Sequence, residues 1–375
     1  MKILVVFGTR PEAIKMAPLV IELRKNPFFT VSVCVTAQHR QMLDQVLKMF
    51  SIEPEYDLDL MKDGQTLSDL TARVLIRLDS VFNSFKPDCV VVHGDTSTTF
   101  ATTLAAYYHR VDVAHVEAGL RTGDIYSPWP EEINRRFTTL IAQHHFAPTI
   151  NAAQNLINEK VNIDRITTTG NTVIDALLMA KDLLQKNHEL RLSIEEKFSF
   201  LSDKDQVVLV TGHRRENFGL GISQICAGIL KLSRKFKNVQ FVYPVHLNPN
   251  IQEPVFRLLS GHSNIHLIEP QEYLPFVYLM NLSYIILTDS GGIQEEAPAL
   301  GKPVLVMRDN TERPEALTAG TAKLIGADSE SIFSGVSELL LDTCAYKKMT
   351  LANNPYGDGS ASLKIVNALV EYYNL

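Results

Sequence analysis

Four ionisable side chains stand where acid–base chemistry would need them. Asp95, Glu117 and Glu131 follow or flank short apolar runs in the first half of the chain, and His213 follows one in the second. Carboxylates and an imidazole in unlike surroundings can alternately take and return a proton. Each also has a plainer reading. Asp95 would cap a helix starting at Thr96-Ser97-Thr98-Thr99, while Glu131 and Glu132, just after Pro130, would complement a helix dipole. A lone histidine is more often structural, but Gly212 before His213 and Arg214-Arg215 after it suggest an exposed, electropositive turn.

A second group of residues suits an anion. Ser290-Gly291-Gly292 precedes a helical pattern, so its backbone N–H groups and the helix N-terminus would cradle a phosphate; the plainer reading is a serine-capped helix start. Of Glu295 and Glu296, one turn further on, only one can face a ligand and accept from a ribose diol. Arg313 lies in a loop and would clamp phosphate or else pair on the surface with Glu312 or Glu315. His93-x-Asp95 and His115-x-Glu117 have the alternation of a metal pair, yet no third ligand cluster and no H-E-x-x-H accompanies them, so no metal is expected. The chain lacks a P-loop signature, a G-x-G-x-x-G after its first strand and a Tyr followed four residues later by Lys. ATP-dependent transfer and nicotinamide-dependent epimerisation are therefore disfavoured, and no cofactor is expected.

These residues need elements to hold them. Apolar runs at 2–7, 31–36, 88–93, 113–117 and 145–147, then at 206–211, 239–243, 265–268, 284–288 and 303–307, alternate with helical patterns. This is the signature of parallel sheets covered by helices, and it predicts an α/β protein with two doubly wound, Rossmann-like domains. The region 150–200 is helical and charged without buried-strand runs, and the boundary is placed after Thr169-Gly170. The expected division is 1–170 plus 360–375 against 171–359. Ligands of open parallel sheets bind beyond the carboxyl ends of the strands, where both domains carry polar, glycine-rich loops, so one cleft between the domains is expected.

The chain has 375 residues, 45% apolar and 21% charged, enough for substantial cores. Against 36 Lys and Arg stand 42 Asp and Glu, a net charge of −6, the wrong sign for holding a nucleic-acid backbone. No apolar run approaches the roughly 18 residues of a membrane span. Lys2 and the apolar residues after it are too short a run for a secretory signal, and Cys34, Cys89, Cys226 and Cys344 are widely spaced, so a reducing cytoplasm is expected.

Longer motifs carry a family likeness. Phe7-Gly8-Thr9-Arg10-Pro11-Glu12-Ala13-Ile14-Lys15, His93-Gly94-Asp95-Thr96, Val116-Glu117-Ala118-Gly119-Leu120-Arg121-Thr122 and Tyr126-Ser127-Pro128-Trp129-Pro130-Glu131-Glu132 lie in the first half. Gly212-His213-Arg214-Arg215-Glu216-Asn217, Asp289-Ser290-Gly291-Gly292-Ile293-Gln294-Glu295-Glu296-Ala297-Pro298 and Asn354-Pro355-Tyr356-Gly357-Asp358-Gly359 lie in the second. Together they resemble the bacterial non-hydrolysing UDP-N-acetylglucosamine 2-epimerases over essentially the whole chain.

The resemblance implies a GT-B glycosyltransferase-like fold whose last helix crosses back to the first domain. It implies interconversion of UDP-GlcNAc and UDP-ManNAc, feeding cell-surface polysaccharide synthesis, by an enzyme expected to be a homodimer. By position, Arg10, Lys15, Asp95, Glu117, His213, Gln271, Phe276, Ser290, Gly291, Gly292, Glu296 and Arg313 correspond to substrate or UDP contacts. Asp95, Glu117, Glu131 and His213 would be the catalytic groups. Gln38, Gln41, Arg214 and His246 resemble a neighbouring site where a second UDP-GlcNAc activates some members; Gly64 stands where some relatives carry Arg. The chemistry is consistent with this: C2–H of the sugar is not next to a carbonyl, but departure of UDP from C1 makes it acidic, and a base then yields 2-acetamidoglucal. A glycosyltransferase of the same fold and a hydrolysing epimerase are the alternatives.

Overall fold

The computed structural model describes residues 1–36, 40–60, 64–202 and 204–375. It divides into two compact units, Met1–Ala176 with Tyr356–Leu375, and Leu177–Pro355. The division falls within the helix Thr172–Lys186.

In the first unit the strands are β1 (Lys2–Phe7), β2 (Thr30–Val35), β3 (Tyr56–Asp57), β4 (Cys89–His93), β5 (Asp112–Val116), β6 (His144–Ala147) and β7 (Ile166–Thr168). They form one parallel sheet in the order β3-β2-β1-β4-β5-β6-β7. Strands β1, β4 and β5 are apolar almost throughout because helices cover both faces. Leu4, Val6, Val90, Val92 and Val113 pack on Leu70, Val74, Leu78, Val81 and Phe82 of the helix Leu67–Phe85. The final helix, Ala361–Tyr372, belongs to this unit: Asp175 accepts from the backbone N–H groups of Ala361 and Ser362 at its start.

The second unit contains β8 (Gln206–Thr211), β9 (Val239–Pro244), β10 (Ile265–Ile268), β11 (Ile285–Thr288), β12 (Val304–Val306) and β13 (Ala322–Leu324), parallel in the order β10-β9-β8-β11-β12-β13. Its core sets Val208, Val210, Phe241, Ile285 and Leu287 against Ile222, Ile225, Ile229 and Leu232. Both units are thus Rossmann-like, as the alternating pattern predicts. The sequence runs missed β3, β7 and β13, which have two or three residues each and show at least one exposed or half-buried position. No helix among the described residues is long and apolar enough to cross a membrane.

In each sheet the chain reverses its direction of growth once, between β1 and β4 and between β8 and β11. Connections there leave to opposite faces, opening a crevice beyond the strand ends. The loops carrying Thr9 and Asp95 flank the first of these points, and those carrying His213 and Ser290 flank the second.

Candidate active site

At the end of β1 the chain enters the helix Arg10–Lys25 through a capping box. Thr9 caps the helix, and the buried Glu12 carboxylate accepts from the Gly8 and Thr9 backbone N–H groups and from the Thr9 and Thr96 hydroxyls. Burial raises the proton affinity of Glu12 while these hydrogen bonds oppose the rise. A Cβ at Gly8 would strike the Thr36 and Thr98 hydroxyls, so the tight approach of the loop requires glycine. Arg10 opens the helix and is half-buried. Lys15, just over one turn on, reaches Glu117.

Glu117 follows β5 with a left-handed backbone, φ 60°. Its Oε2 accepts from the Lys15 ammonium and, at 2.8 Å, from the Asn171 amide. His93, buried at the end of β4, holds Nε2 at 3.7 Å from the same oxygen. Burial pushes the His93 imidazole down to about 4, partly offset by Glu117, so it is neutral near pH 7. Gly94, at φ 65°, leaves open the space beside Glu117 Oε1, where a Cβ would lie 3.6 Å away.

Asp95 is not the cap of the following helix, Ser97–His109; Thr96 takes that role. The Asp95 carboxylate instead pairs with the buried guanidinium of Arg135, and its carbonyl accepts from Asn134 Nδ2 at 2.9 Å. Glu131 and Glu132 begin the helix Glu131–Ile141 but diverge. Glu132 is fully buried and accepts from Arg135, Arg136 and the Thr122 backbone. Glu131 lines a cavity of about 390 Å³ with Asp95, Thr9, Thr96, Ser97 and Leu70. The structure therefore brings Asp95 and Glu131 to one cavity, and gathers Lys15, Glu117, His93 and Asn171 at neighbouring strand ends of the same sheet. Sequence reasoning missed Asn134, Arg135 and Asn171 as partners; Asn134 and Arg135 come just after the motif that ends at Glu132, while Asn171 follows only the boundary at Thr169-Gly170.

In the second unit the organiser is Asp289, fully buried after β11. It accepts from the His213 and Arg214 backbone N–H groups and from Asn217 Nδ2. That holds the turn after β8 and leaves the His213 ring half-exposed, stacked on His246 at 5.7 Å between centroids. Burial lowers the proton affinity of His213, the Asp289 charge opposes this, and Arg214 and His246 reinforce it. His246 is exposed, and its Nδ1 accepts from the Asn248 backbone.

Ser290 precedes the helix Gly291–Ala299 without a side-chain cap hydrogen bond, contrary to the plainer reading of a serine cap. A Cβ on Gly291 would lie 3.7 Å from a guanidinium nitrogen of Arg214, from the guanidinium carbon of Arg313 and from a carboxylate oxygen of Glu312. The helix N-terminus therefore opens beside two guanidinium groups, with the Glu312 carboxylate as near, and its backbone N–H groups suit a phosphate. Gly292 is exposed beside it. The Arg313 guanidinium meets the buried Glu295 carboxylate and also donates to the Glu312 carbonyl at 3.5 Å. Glu296 is the other member of the adjacent pair and accepts from the Tyr273 hydroxyl at 3.1 Å. Arg214 donates to Glu312, which Arg308 also holds. Burial opposes ionisation of Glu312, but hydrogen bonds from its backbone and Arg308, with the Arg308 and Arg313 charges, bring it down to about 2. Gln271 donates to the Glu269 carbonyl, and Phe276, half-buried, lies in the helix Tyr273–Leu282. Gln38 and the side chain of Gln41 lie outside the described residues.

Residues 21–370 match the family model described as UDP-N-acetylglucosamine 2-epimerase. A UDP-N-acetylglucosamine 2-epimerase of Yersinia pestis is 58% identical over 98% of this chain and 98% of its own length. The crystal structure of UDP-GlcNAc 2-epimerase from Neisseria meningitidis bound to UDP-GlcNAc is similar at TM-score 0.91 and 54% identity, covering 99% of this chain and 100% of that one. The Methanocaldococcus jannaschii UDP-GlcNAc 2-epimerase in complex with UDP-GlcNAc and UDP matches at TM-score 0.80 and 34% identity, over 99% of this chain and 100% of that one. The fold shared with such structures is GT-B-like. A likeness this high over nearly the whole length, on top of two Rossmann-like sheets with the motif residues at their strand ends, shows that this chain belongs to the UDP-N-acetylglucosamine 2-epimerase family.

Proposed function

We propose that the protein interconverts UDP-N-acetylglucosamine and UDP-N-acetylmannosamine by eliminating UDP to 2-acetamidoglucal and adding it back. The observation that carries this reading is the pairing of two strand-end carboxylates with their own cations, Glu117 with Lys15 and Asp95 with Arg135, within a family whose relatives bind UDP-GlcNAc.

In the forward direction the C1–O bond breaks and its electron pair leaves with the diphosphate. The C2 proton passes to a carboxylate, and a C1=C2 double bond forms. Returning a proton to the opposite face of C2 while the diphosphate re-attacks C1 gives the epimer. Asp95, Glu117 and Glu131 carry out the proton transfers, and His213 donates to the departing phosphate. Arg10, Lys15, Arg313 and the Ser290-Gly291-Gly292 turn hold the diphosphate; Glu296 takes the ribose hydroxyls, and Gln271 and Phe276 contact the rest of the nucleotide. The cycle needs neither a nicotinamide nor a metal, because charge leaving with UDP activates C2–H.

The enzyme works in the cytoplasm as a homodimer that does not hydrolyse its substrate. The exposed row Ile133, Phe137 and Leu140 on the helix Glu131–Ile141 supports the pairing of two copies. A second UDP-GlcNAc acts as an activator; exposed His246 and partly exposed Arg214 suit its charge. Incubation with UDP-GlcNAc and no acceptor tests the function. UDP-ManNAc is the expected product, whereas UDP with free ManNAc in equal amounts would indicate a hydrolysing epimerase, and no turnover until a sugar acceptor is added would indicate a glycosyltransferase.

A further inference from the structure

Asn171 has an amide with two fixed partners. Its Oδ1 accepts from the Val173 backbone N–H at 3.1 Å, at the start of the helix Thr172–Lys186. The acceptor end is committed to that helix, so the donor end must face the other way, and Nδ2 lies 2.8 Å from Glu117 Oε2. Asn171 is 4% exposed, and its own backbone N–H donates to the Tyr356 carbonyl at 2.7 Å. Gly170 before it, at φ 89°, allows this approach: a Cβ there would lie 3.0 Å from the same carbonyl. The returning segment at Tyr356 therefore pins the backbone, the helix start pins the amide, and the amide reaches the carboxylate.

We propose that Asn171 is a positioning residue for Glu117, fixing the rotamer of its carboxylate and favouring its ionised, proton-accepting form. The inference rests on the reading of Glu117 as a proton-transfer group. A neutral amide donor prefers a charged acceptor, and it holds Oε2 from a different residue than Lys15 does. The lysine can exchange its partner for an anionic ligand; the amide has no charge to be drawn away. Asn171 thus keeps Glu117 in place when the ammonium turns to a diphosphate.

Two variants separate this role from helix capping. Asn171→Ser keeps a good cap but is too short to reach Glu117, and Asn171→Asp keeps the cap while replacing the donor by a second carboxylate. For Asn171→Ser, kcat is expected to fall about tenfold, the usual size of a lost hydrogen bond to a charged group, with KM for UDP-GlcNAc unchanged. For Asn171→Asp, the acidic limb of the kcat/KM–pH profile is expected to move up by about one pH unit, because paired carboxylates resist double ionisation. Both should bind UDP like the parent enzyme in calorimetry. Wild-type kcat in folded Asn171→Ser together with an unmoved acidic limb in Asn171→Asp would overturn the proposal. If Asn171→Ser fails to fold, the Asn171→Asp profile decides alone. Failure of the unaltered protein to make UDP-ManNAc would instead overturn the reaction assigned to the site.

Discussion

The Lys15 ammonium, from the first helix, and the Glu117 carboxylate, beyond the fifth strand, form an ion pair across 102 residues of sequence. Both side chains are largely shielded from water, so the pairing offsets part of the cost of burying each charge. Lys15→Met is expected to lower kcat/KM by a factor on the order of 100, the usual cost of removing one charged donor from a reaction centre. Glu117→Gln and Asp95→Asn should cut kcat by a similar factor while UDP affinity stays near wild type. Steady-state kinetics with calorimetric UDP titration distinguishes these outcomes from general loss of structure.

Adjacent glutamates should behave differently. Glu132 is a buried acceptor for two arginines, so Glu132→Gln is expected to cost about 3 kcal/mol in urea unfolding. Glu131 lines the cavity, and Glu131→Gln should leave the urea midpoint unchanged while kcat falls on the order of 100-fold. Equal effects on stability would contradict this division of labour.

Asp289 gathers three donors from the turn that carries His213. Asp289→Ala would leave those donors without their acceptor in a buried place, at a cost of about 3 kcal/mol. The expected outcome is a lower unfolding midpoint together with weaker UDP binding, since the turn that carries His213 loses its anchor.

Burial pushes His144 and His145 down to about 4 in the folded first unit, and it does the same to the two imidazoles at the strand ends nearest the site, His93 at about 4 and His115 at about 3. In the unfolded chain all four would titrate near 6.5, at about the ordinary histidine value. From about pH 6.5 down to about pH 4 the unfolded state therefore binds more protons than the folded one, and stability falls as pH falls; above that window their contribution is complete. Each imidazole adds at most about 1.4 kcal/mol per pH unit to the slope. Urea midpoints between pH 4 and 8 should show a shallower acid decline for His115→Gln than for the parent chain.

The strands of both sheet centres were legible because burial on two faces demands continuous apolar runs rich in β-branched residues, as in Leu4, Val5 and Val6 or Val207 to Val210. Edge strands such as Tyr56–Asp57 and Ala322–Leu324 lack that demand and left no run to read. The carboxylates were legible from their place after strands, but their partners were not. Arg135 is 40 residues from Asp95, and Asn171 is 54 from Glu117, and only the packing of separate elements brings such residues together. The choice between Glu131 and Glu132 was hidden for a related reason: neighbouring helical residues point about 100° apart, and the sequence alone does not say which direction is the core.

The most direct test of the elimination cycle is NMR of UDP-GlcNAc incubated with the enzyme in D2O. Elimination hands the C2 proton to a carboxylate that exchanges with solvent, so both epimers should accumulate with deuterium at C2 as equilibrium is reached. Epimers that keep their original C2 hydrogen through many turnovers would contradict the account.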